Sequence, residues 1–199
     1  MSKHRDRFLT NPSIFLRMNQ WEKRPRELAW SEFRDRYAPI IAGFARKLGV
    51  KPQDIDDIIQ DVLLGFFTKS PTFLYDPAKG RFRGYLKVCT FRAMRDRLGK
   101  AIKFSGISLD KLDPDLLSID QAWSDVWEKE QMQRAMEAVR HEHRGGKTFK
   151  AFELYAMQNQ QAEDVARLLE MSVDSVYKAK ERITRAIREK LQQLQAEEG

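Results

Sequence analysis

Apolar residues recur along most of the chain at spacings of three and four, and the alternating runs typical of strands are scarce. This period predicts an almost wholly helical protein. The first clear pattern runs from Trp30 to Leu48, and Pro39 interrupts it. Because proline is tolerated in the first turn of a helix but breaks its interior, we expect one helix to end near Tyr37 and a second to begin close to Pro39. Gly49 should end the second helix.

The most regular pattern follows Asp54 and predicts a helix with one apolar face, which consists of Ile55, Ile58, Ile59, Val62, Leu63, Phe66 and Phe67. Leu64 projects about 160° away from that face, among the polar side chains of Asp57, Gln60 and Asp61. An exposed leucine ringed by acids fits a docking patch for a basic protein partner. A single exposed apolar residue is also common in proteins without such a function.

A cationic helix is predicted from about Gly84 to about Lys103, with Val88, Phe91, Leu98 and Ile102 facing inward. Its other side shows Thr90, Ala93, Arg97 and Lys100, with Arg92 nearby, and the preceding loop adds Lys79, Arg81, Phe82, Arg83 and Tyr85. Aromatic rings interleaved with cations are typical of proteins that hold unstacked bases. The alternative is a solvated cationic face with Phe82 and Tyr85 in the core.

The C-terminal part carries the pattern of a helix–turn–helix, two short helices that cross around a tight turn. Ala166 supplies the small residue at the crossing, and Ser172 is placed to cap the second helix. The apolar residues expected to anchor the pair and to face inward are Val165, Leu169, Val176, Ala179, Ile183, Ala186, Ile187 and Leu191. The opposite face clusters Lys178, Arg182 and Arg185, flanked by Asp174, Ser175, Tyr177 and Glu181, as a DNA recognition helix requires. A plain amphipathic helix with solvated cations is the alternative, and Glu170 stands where such turns often use glycine.

Charge is distributed in blocks along the chain. The 199 residues carry 36 Lys plus Arg against 29 Asp plus Glu, a net charge of +7, which favours an anionic partner such as nucleic acid. Residues 81–103 alone carry the whole excess, whereas residues 105–130 are strongly acidic. From these blocks we predict an all-α fold with two small helical domains, residues 11–104 and 120–194, joined by a flexible acidic linker at residues 105–119.

Several function classes are disfavoured by what the sequence contains. The single cysteine, Cys89, excludes an internal disulfide and a cysteine-built zinc site, and it suits a reducing compartment. The N-terminus lacks an apolar stretch of signal-peptide or membrane-spanning length, so we expect a soluble, cytoplasmic protein without a membrane span. No Ser, Cys or His constellation supports covalent catalysis, and His141 and His143 are not spaced convincingly for a metal. We expect no enzyme activity, cofactor, metal or small-molecule substrate.

Taken together in this order, these motifs resemble the sigma factors of bacterial RNA polymerase, specifically the small two-domain extracytoplasmic-function (ECF) group. They are the acidic helix from Asp54 to Phe67, the basic helix entered through Phe82-Arg83-Gly84-Tyr85-Leu86, the acidic linker and the C-terminal helix–turn–helix. The loop from Tyr75 to Gly84 is similar to that of planctomycete-type members.

The resemblance implies a role for each surface. The residues implied to dock on the clamp helices of the polymerase largest subunit are Asp54, Asp57, Gln60, Asp61 and Leu64. Those implied to hold the melting promoter element are Lys79, Arg81, Phe82, Arg83, Tyr85, Lys87, Arg92, Arg97 and Lys100. Those implied to read the upstream element as duplex are Ser172, Val173, Asp174, Ser175, Tyr177, Lys178, Arg182 and Arg185. The implied partners are core RNA polymerase and promoter DNA, and the resemblance is also compatible with an anti-sigma factor.

Two other functions are compatible with parts of this pattern. A dimeric helix–turn–helix repressor or activator would also bind duplex DNA, but it would not need the second basic module or the docking helix. A protein-interaction adaptor with incidental cationic faces is the other alternative.

Overall fold

The computed structural model describes residues 23–69, 82–105 and 116–197, and these residues form seven α-helices and one π-helical turn without strands. The helices are α1 (Lys23–Lys47), α2 (Pro52–Lys69), α3 (Phe82–Ser105), α4 (Leu116–Glu142), α5 (Lys147–Phe152), α6 (Ala162–Leu169) and α7 (Val173–Glu197). The π-helical turn, Glu153–Met157, follows α5 directly. The predicted all-α fold is therefore confirmed for the described part of the chain.

The first helix is continuous, and the predicted break near Tyr37 is wrong. Pro39 lies inside α1 with its ring on the exposed side, so the carbonyl that it leaves without a helical donor can be solvated. Phe33, Ile40 and Phe44 on the opposite side are fully buried. Because burial continues on both sides of the proline, tertiary packing outweighs its preference for a helix start. The predicted stop at Gly49 is confirmed by its left-handed backbone, with φ of +80°.

The core of the N-terminal unit is rich in aromatic rings from α1, α2, α3 and the first half of α4. Phe33 contacts Phe66 and Phe82 with ring centroids 5.2 and 6.0 Å apart, and Tyr37 reaches Phe82 at 5.0 Å. Of the seven residues predicted for the inner face of α2, Phe67 is the exception. Its side chain is half-exposed at the end of the helix and lies against Trp30.

The face that α3 turns inward differs from the predicted one. Leu86, Thr90 and Met94 are buried, whereas Val88, which was expected inside, is 41% exposed. The buried side continues from Phe82 at intervals of four residues. Thr90 can be buried there because its hydroxyl donates a hydrogen bond to the carbonyl of Leu86 at 2.8 Å. A hydroxyl whose hydrogen bond is satisfied within its own helix can lie in a core, which is why Thr90 is buried although its polarity predicts an exposed position.

The chain divides into two compact units within α4, between Glu130 and Gln131, rather than in the predicted linker. The first half of α4 belongs to the N-terminal unit because Trp123 and Trp127 are buried in its core. The second half belongs to the C-terminal unit, where Ala135 and Val139 pack with α5 and α7. In the sequence, Trp123 and Trp127 are out of helical phase with Met132, Met136 and Val139, and the division of α4 between two cores explains this mismatch. Residues 106–115 of the predicted linker lie outside the described residues.

The C-terminal unit contains the rest of α4, α5, the π-helical turn, α6 and α7. Phe149 and Phe152 are buried against α4 and α7, and Tyr155 is partly buried. Val165, Ala166 and Val176 form the buried crossing of α6 and α7. Within the described ranges, no helix combines the length and the apolar character that crossing a membrane would need.

Candidate nucleic-acid interface

The tight turn between α6 and α7 is built without glycine. Glu170 adopts the left-handed conformation, with φ of 50° and ψ of 59°. The amide of Met171 donates to the carbonyl of Ala166 at 3.0 Å and that of Glu170 to Arg167 at 3.4 Å, which is the Schellman pattern that ends a helix. Glu170 thus occupies the conformation for which glycine is preferred, at a cost in backbone energy.

Ser172 caps α7 as predicted, because its Oγ accepts a hydrogen bond from the amide of Ser175 at 3.1 Å. The predicted inner face of α7 is also confirmed, with Val176 and Ile183 fully buried and Ala179 and Ile187 nearly so. The residues predicted for DNA contact are exposed or partly exposed: Ser172, Val173, Asp174, Ser175, Tyr177, Lys178, Arg182 and Arg185. The structure therefore presents this surface to solvent along the first three turns of α7.

Most of the cations on this face of α7 remain available to bind an anion. Lys178 binds Asp174 at 2.7 Å, and this hydrogen bond raises the pKa of the lysine above its usual value. Arg182 and Arg185 form no ion pair with any described residue. An exposed lysine–carboxylate pair is weak, so a phosphate can displace Asp174 from Lys178. The geometry fits contact with the backbone of a nucleic acid.

An aromatic pair extends this surface toward the π-helical turn, a feature that sequence reasoning missed. The rings of Tyr155 and Tyr177 meet edge to face at 5.5 Å, and the Lys180 ammonium lies 5.3 Å from the centre of the Tyr155 ring. These residues line an open groove with Thr184 and Arg188. The period of α7 places Lys180, Thr184 and Arg188 four residues apart on one flank, a spacing that could have indicated the groove.

Two α3 residues that were predicted to contact DNA bind residues in the first half of α4. Arg83 donates to the Ser124 hydroxyl at 2.8 Å and lies over the Trp127 ring, and Lys87 binds Asp120 at 2.6 Å. Both cations therefore face α4 in this structure. Asp120, one of the acidic residues that follow the basic helix, is thus an intramolecular partner of one of its cations.

The predicted aromatic contacts on α3 are divided between the core and a groove. Phe82 is 4% exposed, so its predicted role in holding a base is corrected: the ring packs in the core. Tyr85 is partly buried, meets Phe66 edge to face at 5.3 Å and lines a groove between α2 and α3. Partial burial raises the pKa of its phenol, and Cys89 raises it further, so the hydroxyl stays protonated. Lys79, Arg81 and the side chain of Lys100 lie outside the described residues.

The outer side of α3 presents two cations that have no ion-pair partner among the described residues. Arg92 and Arg95 are exposed there, beside the exposed Val88. Arg95 was not among the predicted contacts, because the predicted inner face was rotated relative to the observed one. The signal that could have found it is the four-residue repeat of Leu86, Thr90 and Met94, which puts Arg95 opposite the core.

The acidic surface of α2 includes an exposed leucine, as predicted. Leu64 is 59% exposed, and Gln60 and Asp61 beside it are exposed, whereas Asp54 and Asp57 are partly buried. Arg97 of α3 pairs with two of these acids, with Nη1 2.6 Å from Asp57 Oδ2 and Nε 3.2 Å from Asp61 Oδ2. The structure thus joins a predicted DNA contact to the predicted docking acids. Within the described ranges, no cluster of three or more potential ligand side chains could hold a metal ion.

Residues 33–103 match the family model of sigma-70 region 2. The match covers most of α1, all of α2 and most of α3. This part of the chain is therefore similar to region 2 of the sigma-70 factors. Comparisons with curated proteins and with solved structures return no match.

Proposed function

We propose that this protein is a sigma factor of the ECF group, planctomycete-like in its loop before α3, which directs core RNA polymerase to specific promoters and assists DNA melting. The observation that carries the proposal is the match of residues 33–103 to sigma-70 region 2. A separate C-terminal unit with an exposed cationic α7 supports a second contact to the promoter. A sigma factor acts by binding and positioning, so we propose no enzyme activity and no cofactor.

The docking surface is proposed to be the exposed side of α2. Leu64 offers an apolar contact with acids on either side, which fits a partner surface that combines aliphatic and basic side chains. By resemblance, that partner is the clamp of the polymerase largest subunit. The proposed docking residues are Asp54, Asp57, Gln60, Asp61 and Leu64.

Promoter contact is proposed at two places. The outer side of α3, with Arg92 and Arg95, together with the groove lined by Tyr85, would bind the opened strand through charge and ring stacking. The first turns of α7, from Ser172 to Arg185, would read the upstream element as duplex. Both contacts can be weak individually, because attachment to one polymerase raises their effective concentration.

We also propose a cytoplasmic location, which follows from the sequence pattern. The roles of the two predicted domains and an anti-sigma factor as a further partner are proposed from the resemblance to the ECF group. The alternative of a dimeric helix–turn–helix regulator is not favoured, because such a protein has no need of a region 2.

Co-purification with core RNA polymerase tests the docking assignment. Leu64→Arg should weaken retention of the chain on tagged core enzyme, since it puts a cation on a surface that is proposed to meet cations. Leu168→Arg is the matched control, because Leu168 is a comparably exposed leucine in α6, at 65% against 59%. Equal retention of the two variants would contradict the docking assignment, and no retention of the unmodified chain would contradict the function.

A further inference from the structure

The groove between the π-helical turn and the flank of α7 is lined by cations without partners. Its volume is about 730 Å³, within the range of about 300–1,000 Å³ that is typical of small-molecule sites. Lys180, Arg185 and Arg188 line it, and none of the three forms an ion pair with any described residue. Glu181 is the only acid among the described residues that line it. The groove therefore carries an excess of positive charge that is suited to a compact anion.

The hydrogen-bond donors of the groove follow one flank of α7. Lys180, Thr184 and Arg188 are four residues apart, and all three are exposed. The rise of an α-helix places the first and the last of them about 12 Å apart along the axis. A chain of linked phosphates can lie against such a row, because both cations and the hydroxyl between them donate hydrogen bonds to phosphate oxygens.

Two aromatic rings complete the groove, and they favour a ligand with an unpaired base. Tyr155 and Tyr177 meet edge to face at 5.5 Å. Tyr155 is partly buried and has the Lys180 ammonium near its ring, whereas Tyr177 is 45% exposed. An exposed ring can stack on a free base. The bases of a duplex are already stacked on one another, so a duplex would use the cations of the groove but not this ring.

We propose that this groove binds a free nucleotide with two or three phosphates. The base stacks on Tyr177, and the phosphates lie along Lys180, Thr184 and Arg188. Because the groove is open and water screens its charges, we expect a dissociation constant of about 0.1–1 mM. Adenine and guanine nucleotides should bind alike, since stacking uses the ring face that every base has.

A nucleotide in the groove would oppose the binding of duplex DNA to the same helix. Tyr177 and Arg185 line the groove and are also among the residues proposed to read the upstream element. The phosphates of the nucleotide would add negative charge beside those of the duplex, and like charges at close range repel. This competition rests on the proposed function, whereas the binding of the nucleotide does not.

Calorimetric titration of ATP into the full-length chain, without polymerase, tests the site. Lys180→Gln with Arg188→Gln should weaken binding about tenfold, because each cation donates to a phosphate. Lys178→Gln with Arg182→Gln is the matched control, since it removes the same charge from exposed positions of the same helix outside the groove. The control should weaken binding about twofold or less. Equal weakening by the two pairs would mean that α7 attracts polyanions without a site, and would overturn the proposal.

The contribution of the base is measured with inorganic tripolyphosphate as a second ligand. Tyr177→Leu should weaken the binding of ATP about fivefold and leave that of tripolyphosphate unchanged, because only ATP has a base to stack. Circular dichroism of the variant checks that it folds. Equal effects on the two ligands would overturn the stacking. Binding of oligothymidylate through Lys180 and Arg188, with no binding of ATP, would assign the groove to a strand of nucleic acid and overturn the proposal.

Competition is measured with the polymerase holoenzyme on a fluorescein-labelled duplex that carries the upstream element, at constant ionic strength. ATP should displace this duplex from the unmodified holoenzyme and displace less of it from the Lys180→Gln, Arg188→Gln variant. Equal displacement from both would overturn the competition.

The outcomes separate this inference from the proposed function. If the chain directs transcription but does not bind ATP, only this inference is wrong. If ATP binds in the groove while the chain binds neither polymerase nor promoter DNA, the proposed function is wrong and the nucleotide site stands.

Discussion

The guanidinium carbon of Arg83 lies 5.5 Å from the centre of the Trp127 ring, so a cation of the basic helix α3 rests on the first half of α4. Cation–π contact of this kind is strongest when both groups are shielded from water, and Trp127 is only 2% exposed. Residues 116–130 are therefore a structural part of the N-terminal unit, although they are the second part of the segment 105–130 that the sequence marks as acidic.

Replacing the buried tryptophan tests this membership. Trp127→Ala should lower the free energy of unfolding of the N-terminal unit by about 3–5 kcal/mol, because it removes a large ring from a packed core. Urea denaturation followed by circular dichroism gives the value. Trp127→Phe retains most of the volume and should cost clearly less. Equal and negligible losses in the two variants would mean that α4 does not pack there.

The turn between α6 and α7 offers a stabilising change. Glu170→Gly should raise the free energy of unfolding of the C-terminal unit by about 1 kcal/mol, because glycine adopts a positive φ without the clash of a Cβ. Glu170→Ala keeps the Cβ and loses only an exposed ion pair with Lys147, so it should give no gain. Thermal unfolding of both variants decides the matter, and a gain in the alanine variant would contradict the backbone explanation.

Much of the C-terminal unit could be predicted because its signals are local. The capping serine, the buried stripe of α7 and the exposed Lys178 follow from spacing within one helix, and the structure confirms each of them. The sequence indicated the left-handed backbone of Glu170 only indirectly, because Glu170 stands where such turns often use glycine. Leu64 was found in the same way, because the regular period of α2 leaves it no place on the inner face.

The errors arose where distant residues decide the outcome. Pro39 stays within a helix because residues of α1 that precede and follow it are buried. Phe82 is buried because Phe33, Tyr37 and Phe66 surround it. The ion pairs of Arg97 join residues that are 36 and 40 positions apart. No period within one helix reports such contacts, so a cation that pairs internally looks in the sequence like one that is free.

A salt-dependence measurement tests the cations of α7. Lys178→Gln with Arg182→Gln should weaken binding of the polymerase holoenzyme to duplex DNA carrying the upstream element. The log–log slope against salt should fall by roughly 0.9 for each phosphate contact that is lost. Arg46→Gln with Lys129→Gln removes the same charge from exposed positions of the N-terminal unit and should leave the slope unchanged. An unaltered slope in the α7 variant would mean that neither side chain contacts phosphate.

Glu153, at the start of the π-helical turn, should make a pH-dependent contribution to the stability of the C-terminal unit. Hydrogen bonds from Lys150 and Arg140 lower the pKa of Glu153. Because the folded state has the lower pKa, this stabilisation is complete above the unfolded value of about 4.3 and is lost as the pH falls through the folded value. Glu153→Gln should therefore lower the Tm at pH 7 and have progressively less effect under acidic conditions. A Tm difference that is constant across this range would exclude the charged contact.

Run-off transcription measures the central claim most directly. Purified chain and core RNA polymerase are combined on a library of genomic promoter fragments, and transcripts are sequenced from their 5′ ends. We predict discrete start sites that appear only when both components are present, downstream of a shared pair of sequence elements. Transcripts that are the same with and without the chain, while the chain alone binds a palindromic duplex, would contradict the account.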